Sequence, residues 1–191
     1  MLCCEKLTAE QAADIYTKYL AEDFPPEECR PIEWIRPLMD NGRYRVFELC
    51  DDGLPVAYAM TVQAEGENIW LMDFLAVHEP FRDSGYGSHM LRMVRSLLPE
   101  DAILLFESDH PGYAEGEERE KRLRRLAFYR RNGVTDTGAR TCVSGCEFAI
   151  LSAPSGALNA SDTLAAMDRL YHQIMPRDFY DSEIRLRPAN S

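Results

Sequence analysis

Residues Asn68 to Leu98 constrain this chain more than any other stretch. Asn68 to Val77 (N-I-W-L-M-D-F-L-A-V) is apolar, rich in aromatic and branched residues, and short, which suits a buried strand better than a helix. Pro80 cannot donate to a sheet ladder, so the strand stops before it. From Gly85 to Leu98 the period changes. Tyr86, Met90, Leu91, Val94, Leu97 and Leu98 fall on one face of a helix, and Pro99 closes it. The joint between strand and helix reads Arg82-Asp83-Ser84-Gly85-Tyr86-Gly87-Ser88.

That joint is suited to an anion. The first N–H groups of a helix lack internal partners, and the helix dipole is positive there. Gly85 and Gly87 let those groups approach a ligand without a Cβ in the way. A Walker loop needs G-x-x-x-x-G-K-[ST], and the chain has no Gly-Lys pair. A dinucleotide fingerprint needs a third small residue where Met90 stands. Alone, the joint is equally well an ordinary glycine-containing turn.

The chain has 191 residues, enough for one domain with a sizeable core. Thirty-two acids against 21 bases give a net charge of −11, which argues against nucleic acid and anionic membranes as partners. No apolar stretch is long enough to span a bilayer, and Met1 to Lys6 lacks the basic start and apolar core of a signal peptide, so a cytoplasmic location is expected. The six cysteines form no C-x-x-C and are expected as free thiols; the four histidines are scattered, and no metal site is expected.

Thr8 to Ala21 reads as a helix, with Thr8 and Gln11 at capping-box spacing. Pro31 to Met39 reads as a second. Tyr44 to Cys50 and Leu54 to Gln63 are strands joined by a hairpin at Asp51-Asp52-Gly53. With the strand at Asn68 they form a meander. Ala102 to Ser108 is a strand expected to lie parallel to Asn68–Val77, since a crossover helix separates them. Glu117 to Asn132 is a helix ending Phe128-Tyr129-Arg130-Arg131-Asn132-Gly133-Val134. Later signals are thinner: a strand at Glu147 to Ser152, a helix at Asp162 to Ile174, and a last short strand near Glu183 to Leu186.

Two motifs, R-x-x-G-x-G after a strand ending Leu-Ala-Val and F-Y-x-x-x-G-V some forty residues later, together resemble the paired signatures of the GNAT family of N-acetyltransferases. The resemblance covers roughly Arg43 to Ile150. Two positions depart from it: Val134 stands where the family usually has Phe, and Asp83 where it usually has Gly, Lys or Arg. The resemblance implies one α/β (α+β) domain. Its mixed central sheet has about six or seven strands, with helices on both faces and two parallel central strands splayed apart. The expected parts are N-terminal helices (1–42), an acetyl-CoA-binding core (43–150), and a C-terminal helix and tail (151–191).

The implied activity is transfer of acetyl from acetyl-CoA, as co-substrate and without a metal, to a primary amine on a small molecule or peptide. The amine would attack directly in a ternary complex, in a monomer or homodimer. The alternative is a non-catalytic acyl-CoA-binding or sensing module. By resemblance, Arg82 to Ser88 (with Asp83, Ser84, Gly85, Tyr86 and Gly87) hold the pyrophosphate, and the main chain of Leu75, Ala76 and Val77 pairs with the pantetheine arm. Tyr129 protonates the departing thiolate. Bases between Arg119 and Arg131 either reach coenzyme A phosphates or form a solvated face.

The family fixes no residue as the base that frees the amine. Alternation places Leu71, Asp73, Leu75 and Val77 on one strand face, and Ile103, Leu105, Glu107 and Asp109 on another. Glu107, at a strand end, is the first candidate and Asp73 the second. The acidic stretch Asp109–Glu120 suggests a cationic acceptor.

Overall fold

The computed structural model describes residues 1–153 and 158–189; residues 154–157 and 190–191 of the expected C-terminal part lie outside the described residues. The chain divides into two compact units, Met1–Gln63 with Met72–Glu100, and Ala64–Leu71 with Asp101–Ser191.

The first unit begins with a strand β1 (Leu2–Lys6), then helices α1 (Ala9–Asp23) and α2 (Ile32–Asp40). The Thr8 hydroxyl accepts from the Gln11 N–H, and the Gln11 side chain accepts from the Thr8 N–H, so the capping box forms as the spacing predicts. Strands β2 (Tyr44–Asp51), β3 (Leu54–Gln63) and β4 (Ile69–Val77) follow, then helix α3 (Tyr86–Leu97). The strands are ordered β1-β2-β3-β4. The β2–β3 turn has positive φ at both central residues, 47° at Asp52 and 80° at Gly53, as a two-residue type I′ turn requires. Helix α3 packs on β3 and buries Met90, Leu91 and Val94; α2 buries Ile35, Leu38 and Met39.

The second unit takes the first residues of β4, then β5 (Ile103–Asp109), helix α4 (Gly116–Arg131), β6 (Thr135–Val143), β7 (Cys146–Ser152), helices α5 (Ala160–Ile174) and α6 (Arg177–Glu183), and β8 (Ile184–Pro188). Its strand order is β4-β5-β7-β6-β8. Strands β4 and β5 run parallel, and the Ile103 N–H donates to the Asn68 carbonyl at 2.9 Å. Strand β7 is antiparallel to both β5 and β6. The β6–β7 turn, Ser144 (φ 48°) and Gly145 (φ 81°), repeats the type I′ geometry. Helix α5 lies against β6 and β8 and buries Ala166, Met167, Leu170, Tyr171 and Ile174.

The fold class is therefore α/β with a mixed sheet, and among the described residues the sheet has eight strands where six or seven are expected. The additional strands are β1, whose Leu-Cys-Cys-Glu-Lys shows little apolar alternation, and β6. Strand β6 carries Asp136 and Gly138, and its register shifts between Asp136 and Ala139, which breaks the period of two. Among the described residues no helix is long and apolar enough to cross a membrane.

Candidate active site

Strand β4 is buried from Ile69 to Met72, whereas Leu75, Ala76 and Val77, in the first unit, are half-exposed. The loop that follows bends through two left-handed residues, Asp83 (φ 62°) and Gly85 (φ 86°). Asp is among the few non-glycine residues that tolerate this region, because its short side chain bonds locally. Arg82, Asp83, Ser84 and Gly85 are exposed.

Gly85 is the N-cap of α3, with no side-chain capping bond and no acid in the first turn. The helix's own bonds start with the N–H groups of Ser88 and His89, both donating to the Gly85 carbonyl. The N–H groups of Tyr86 and Gly87 thus have no acceptor within the helix. A Cβ on Gly85 would meet nothing within 4 Å. Open space above orphan donors at a positive helix end fits a phosphate.

Two side chains of this loop are committed elsewhere. The Arg82 guanidinium donates to the Val77 carbonyl (3.2 Å) and to Asp23 (3.2 Å), and Asp23 also accepts from the Tyr58 hydroxyl (2.9 Å). Arg82 therefore braces the end of β4. The Tyr86 hydroxyl donates to Asp51 (2.8 Å), so Tyr86 offers a ligand its backbone.

The Asp73 side chain is 2% exposed and pairs with Arg30. Its second oxygen accepts from the Tyr44 hydroxyl at 2.6 Å. Burial first, then the Asp73 charge, pushes the Tyr44 phenol far above its usual range, so Tyr44 stays a donor. The Tyr16 hydroxyl donates to the Arg30 carbonyl (2.7 Å) and fixes the segment that presents Arg30.

In the second unit, Tyr129 is 7% exposed, with its ring against Phe106 and Phe128. Among the described residues its hydroxyl makes no hydrogen bond. Burial pushes the phenol up to about 12; the nearby Arg125 opposes this and Asp109 adds to it. At neutral pH Tyr129 is a protonated, uncommitted donor.

Glu107 follows Phe106 on β5 and so faces the opposite side of the strand. Its Oε1 accepts from the hydroxyl of Thr141 on β6 (3.1 Å) and from that of Tyr171 on α5. Tyr171 lies on the buried face of α5 with Met167, Leu170 and Ile174. Its hydroxyl was the available signal, since a buried phenol needs a polar partner.

The acids between Asp109 and Glu120 are largely matched by bases of α4. Asp109 pairs with Arg125, Glu117 and Glu118 face Lys121, Glu118 also faces Arg122, and Glu120 faces Arg119. This weakens the electrostatic case for a cationic acceptor. It also accounts for several of the bases as ion-pair partners on a solvated helix.

Comparisons with known proteins show the family and the fold. The model of the acetyltransferase (GNAT) family matches residues 9–114. Among solved structures, a GNAT-family acetyltransferase from Bacteroides thetaiotaomicron is 22% identical, with TM-score 0.67, over 90% of this chain and 97% of that one. Another from Desulfovibrio desulfuricans is 19% identical, with TM-score 0.57, over 82% of this chain and all of that one. The ribosomal-protein-S18-alanine N-acetyltransferase of Escherichia coli is 18% identical, with TM-score 0.54, over 83% and 97%. No curated protein matches. These structures share the fold, and the family model spans more than half of the sequence: the chain belongs to the GNAT family of acetyl-CoA-dependent N-acetyltransferases.

Proposed function

We propose that this acetyltransferase moves acetyl from acetyl-CoA to a primary amine, on a small molecule or a peptide, by direct attack in a ternary complex. The observation that carries the reading is the buried, protonated and uncommitted hydroxyl of Tyr129. Acetyl-CoA supplies the activated acyl group. The N–H groups of Tyr86 and Gly87, with Gly85 and Ser88 beside them, hold the pyrophosphate, and the main chain of Leu75, Ala76 and Val77 pairs with the pantetheine amides. Arg82 sets the Val77 carbonyl for that pairing. Tyr129 gives its proton to the sulfur as the carbon–sulfur bond breaks and the nitrogen–carbon bond forms. Glu107, half-buried and oriented by Tyr171 and Thr141, is the carboxylate we assign to take the amine proton. Asp73 is a structural partner of Arg30 and Tyr44.

The test is release of free thiol from acetyl-CoA across a panel of amines. Tyr129→Phe is expected to lower turnover on the order of 10²-fold while coenzyme A affinity stays unchanged. An unaltered rate would remove Tyr129 from the chemistry. Binding of coenzyme A without turnover on any amine would favour a sensing module.

A further inference from the structure

Cys3 of β1 and Cys50 of β2 are direct cross-strand partners. The Leu7 N–H donates to the Val46 carbonyl on the same ladder, at 2.9 Å. Hydrogen-bonded pairs recur at every second residue of an antiparallel ladder, so Cys3 and Cys50 form one of them. The Cα atoms of such a pair lie about 5.5 Å apart, within the range that a disulfide favours. Both side chains leave the same face; Cys3 is exposed and Cys50 half-buried.

The Cβ atoms of a hydrogen-bonded pair are about 5.5 Å apart, roughly 1 Å beyond what a disulfide prefers. Closure therefore asks β1 to move toward β2. As the first strand of the sheet, β1 has one neighbour and spans five residues, so little opposes that movement. The residual strain makes the bond easily reduced.

Among the described residues, Cys3 and Cys50 are the cysteines placed directly opposite each other on a ladder. Cys4 points to the opposite face, with its Sγ 4.0 Å from the Met90 Sδ. Cys142 and Cys146 stand opposite Glu147 and Val143, not each other. Cys29 lies against the carbonyls of Leu20 and Pro25. Glu5 and Glu48 form the next pair on the face of Cys3 and Cys50. Among the described residues, however, no three His, Cys, Asp or Glu converge on a metal position.

We propose that Cys3 and Cys50 are a reversible thiol–disulfide site, oxidised by hydrogen peroxide. The Cys3 thiolate attacks one peroxide oxygen. A sulfur–oxygen bond forms, the oxygen–oxygen bond breaks, and hydroxide leaves as water once protonated. The Cys50 sulfur then attacks the Cys3 sulfenic acid. The disulfide forms, the sulfur–oxygen bond breaks, and a second water carries away the Cys50 proton. Two thiols and one peroxide thus give one disulfide and two waters. Exposed Cys3 is the sulfur that meets the peroxide, and half-buried Cys50 resolves it; burial and then the Glu48 charge push the Cys50 thiol up to about 11, so it stays protonated and the second step speeds up as pH rises. The site is tied to α3 twice, because Cys4 touches Met90 and Asp51 holds the Tyr86 hydroxyl.

The test treats the reduced full chain with equimolar hydrogen peroxide, followed by thiol titration and non-reducing peptide mapping. Two of the six thiols are expected to disappear, the mass to fall by two hydrogens, and one cross-linked peptide to join Cys3 to Cys50. Dithiothreitol should reverse all three changes. Cys3→Ser and Cys50→Ser should each abolish the cross-link, and Cys4→Ser should keep it. Sulfinic acid on Cys3 with Cys50 still reduced, a bond to Cys4, or a disulfide between two copies of the chain would each overturn the proposal.

Discussion

Asp73 and Glu107 are both carboxylates set in apolar strands, and their neighbours give them different tasks. Asp73 has a cation on one oxygen and a phenol on the other, with almost no exposure. Removing its charge would leave Arg30 buried and unpaired, a loss of about 3–5 kcal/mol. Asp73→Asn should therefore lower the urea midpoint sharply; a folded, fully stable but slow variant would make Asp73 catalytic instead. Glu107 accepts from two hydroxyls, those of Thr141 and Tyr171. Glu107→Gln should slow turnover most at low pH, where the amine is protonated and depends on a base, with coenzyme A affinity unchanged. A uniform loss across pH would make Glu107 structural. The alternation of the strands identified both carboxylates. It did not reveal Arg30, Tyr44, Thr141 or Tyr171, because each reaches its carboxylate across 29 or more residues of chain.

The start of α3 is an element whose local sequence dictates its geometry. Gly85 in the left-handed region and a first turn free of acids leave the helix dipole uncompensated. Gly87→Glu should abolish coenzyme A binding by adding bulk and like charge at the orphan donors, while circular dichroism stays native. Normal affinity in the folded variant would remove this loop from phosphate recognition. Elements with clear periods (α1, α3, α5 and the strands from β2 to β5) were legible to within about two residues, as was α4 from its Gly133 stop. The weak ones were not. Helix α6, Arg-Asp-Phe-Tyr-Asp-Ser-Glu, is seven residues long and buries none of them, so no apolar stripe announces it. Strand β6 hides behind its own register shift. The loop side chains have tasks that no local signal in the sequence shows. The Arg82 guanidinium is engaged by Val77 and Asp23 and the Tyr86 hydroxyl by Asp51, partners 5 to 59 residues away in the chain.

At the scale of the molecule, the two type I′ turns have a kinetic meaning. Asp52-Gly53 and Ser144-Gly145 lie one in each compact unit, and each joins strands that are neighbours in sequence. Most other strand pairs must first close long stretches of chain: β1 meets β2 only after two helices have intervened, and β8 meets β6 only after two more. A hairpin closes in about 1–10 μs, while distant pairings wait on loop closure. Each unit thus holds its own starting point for refolding. Gly53→Ala and Gly145→Ala meet no steric obstacle, so their cost, about 1–2 kcal/mol, is the left-handed backbone alone. In stopped-flow refolding each should slow the folding limb and leave the unfolding limb nearly unchanged. Faster unfolding at constant folding rate would mean that the hairpins close after the rate-limiting step. With the prediction upheld, the order of assembly is written into two glycines that touch neither substrate nor core.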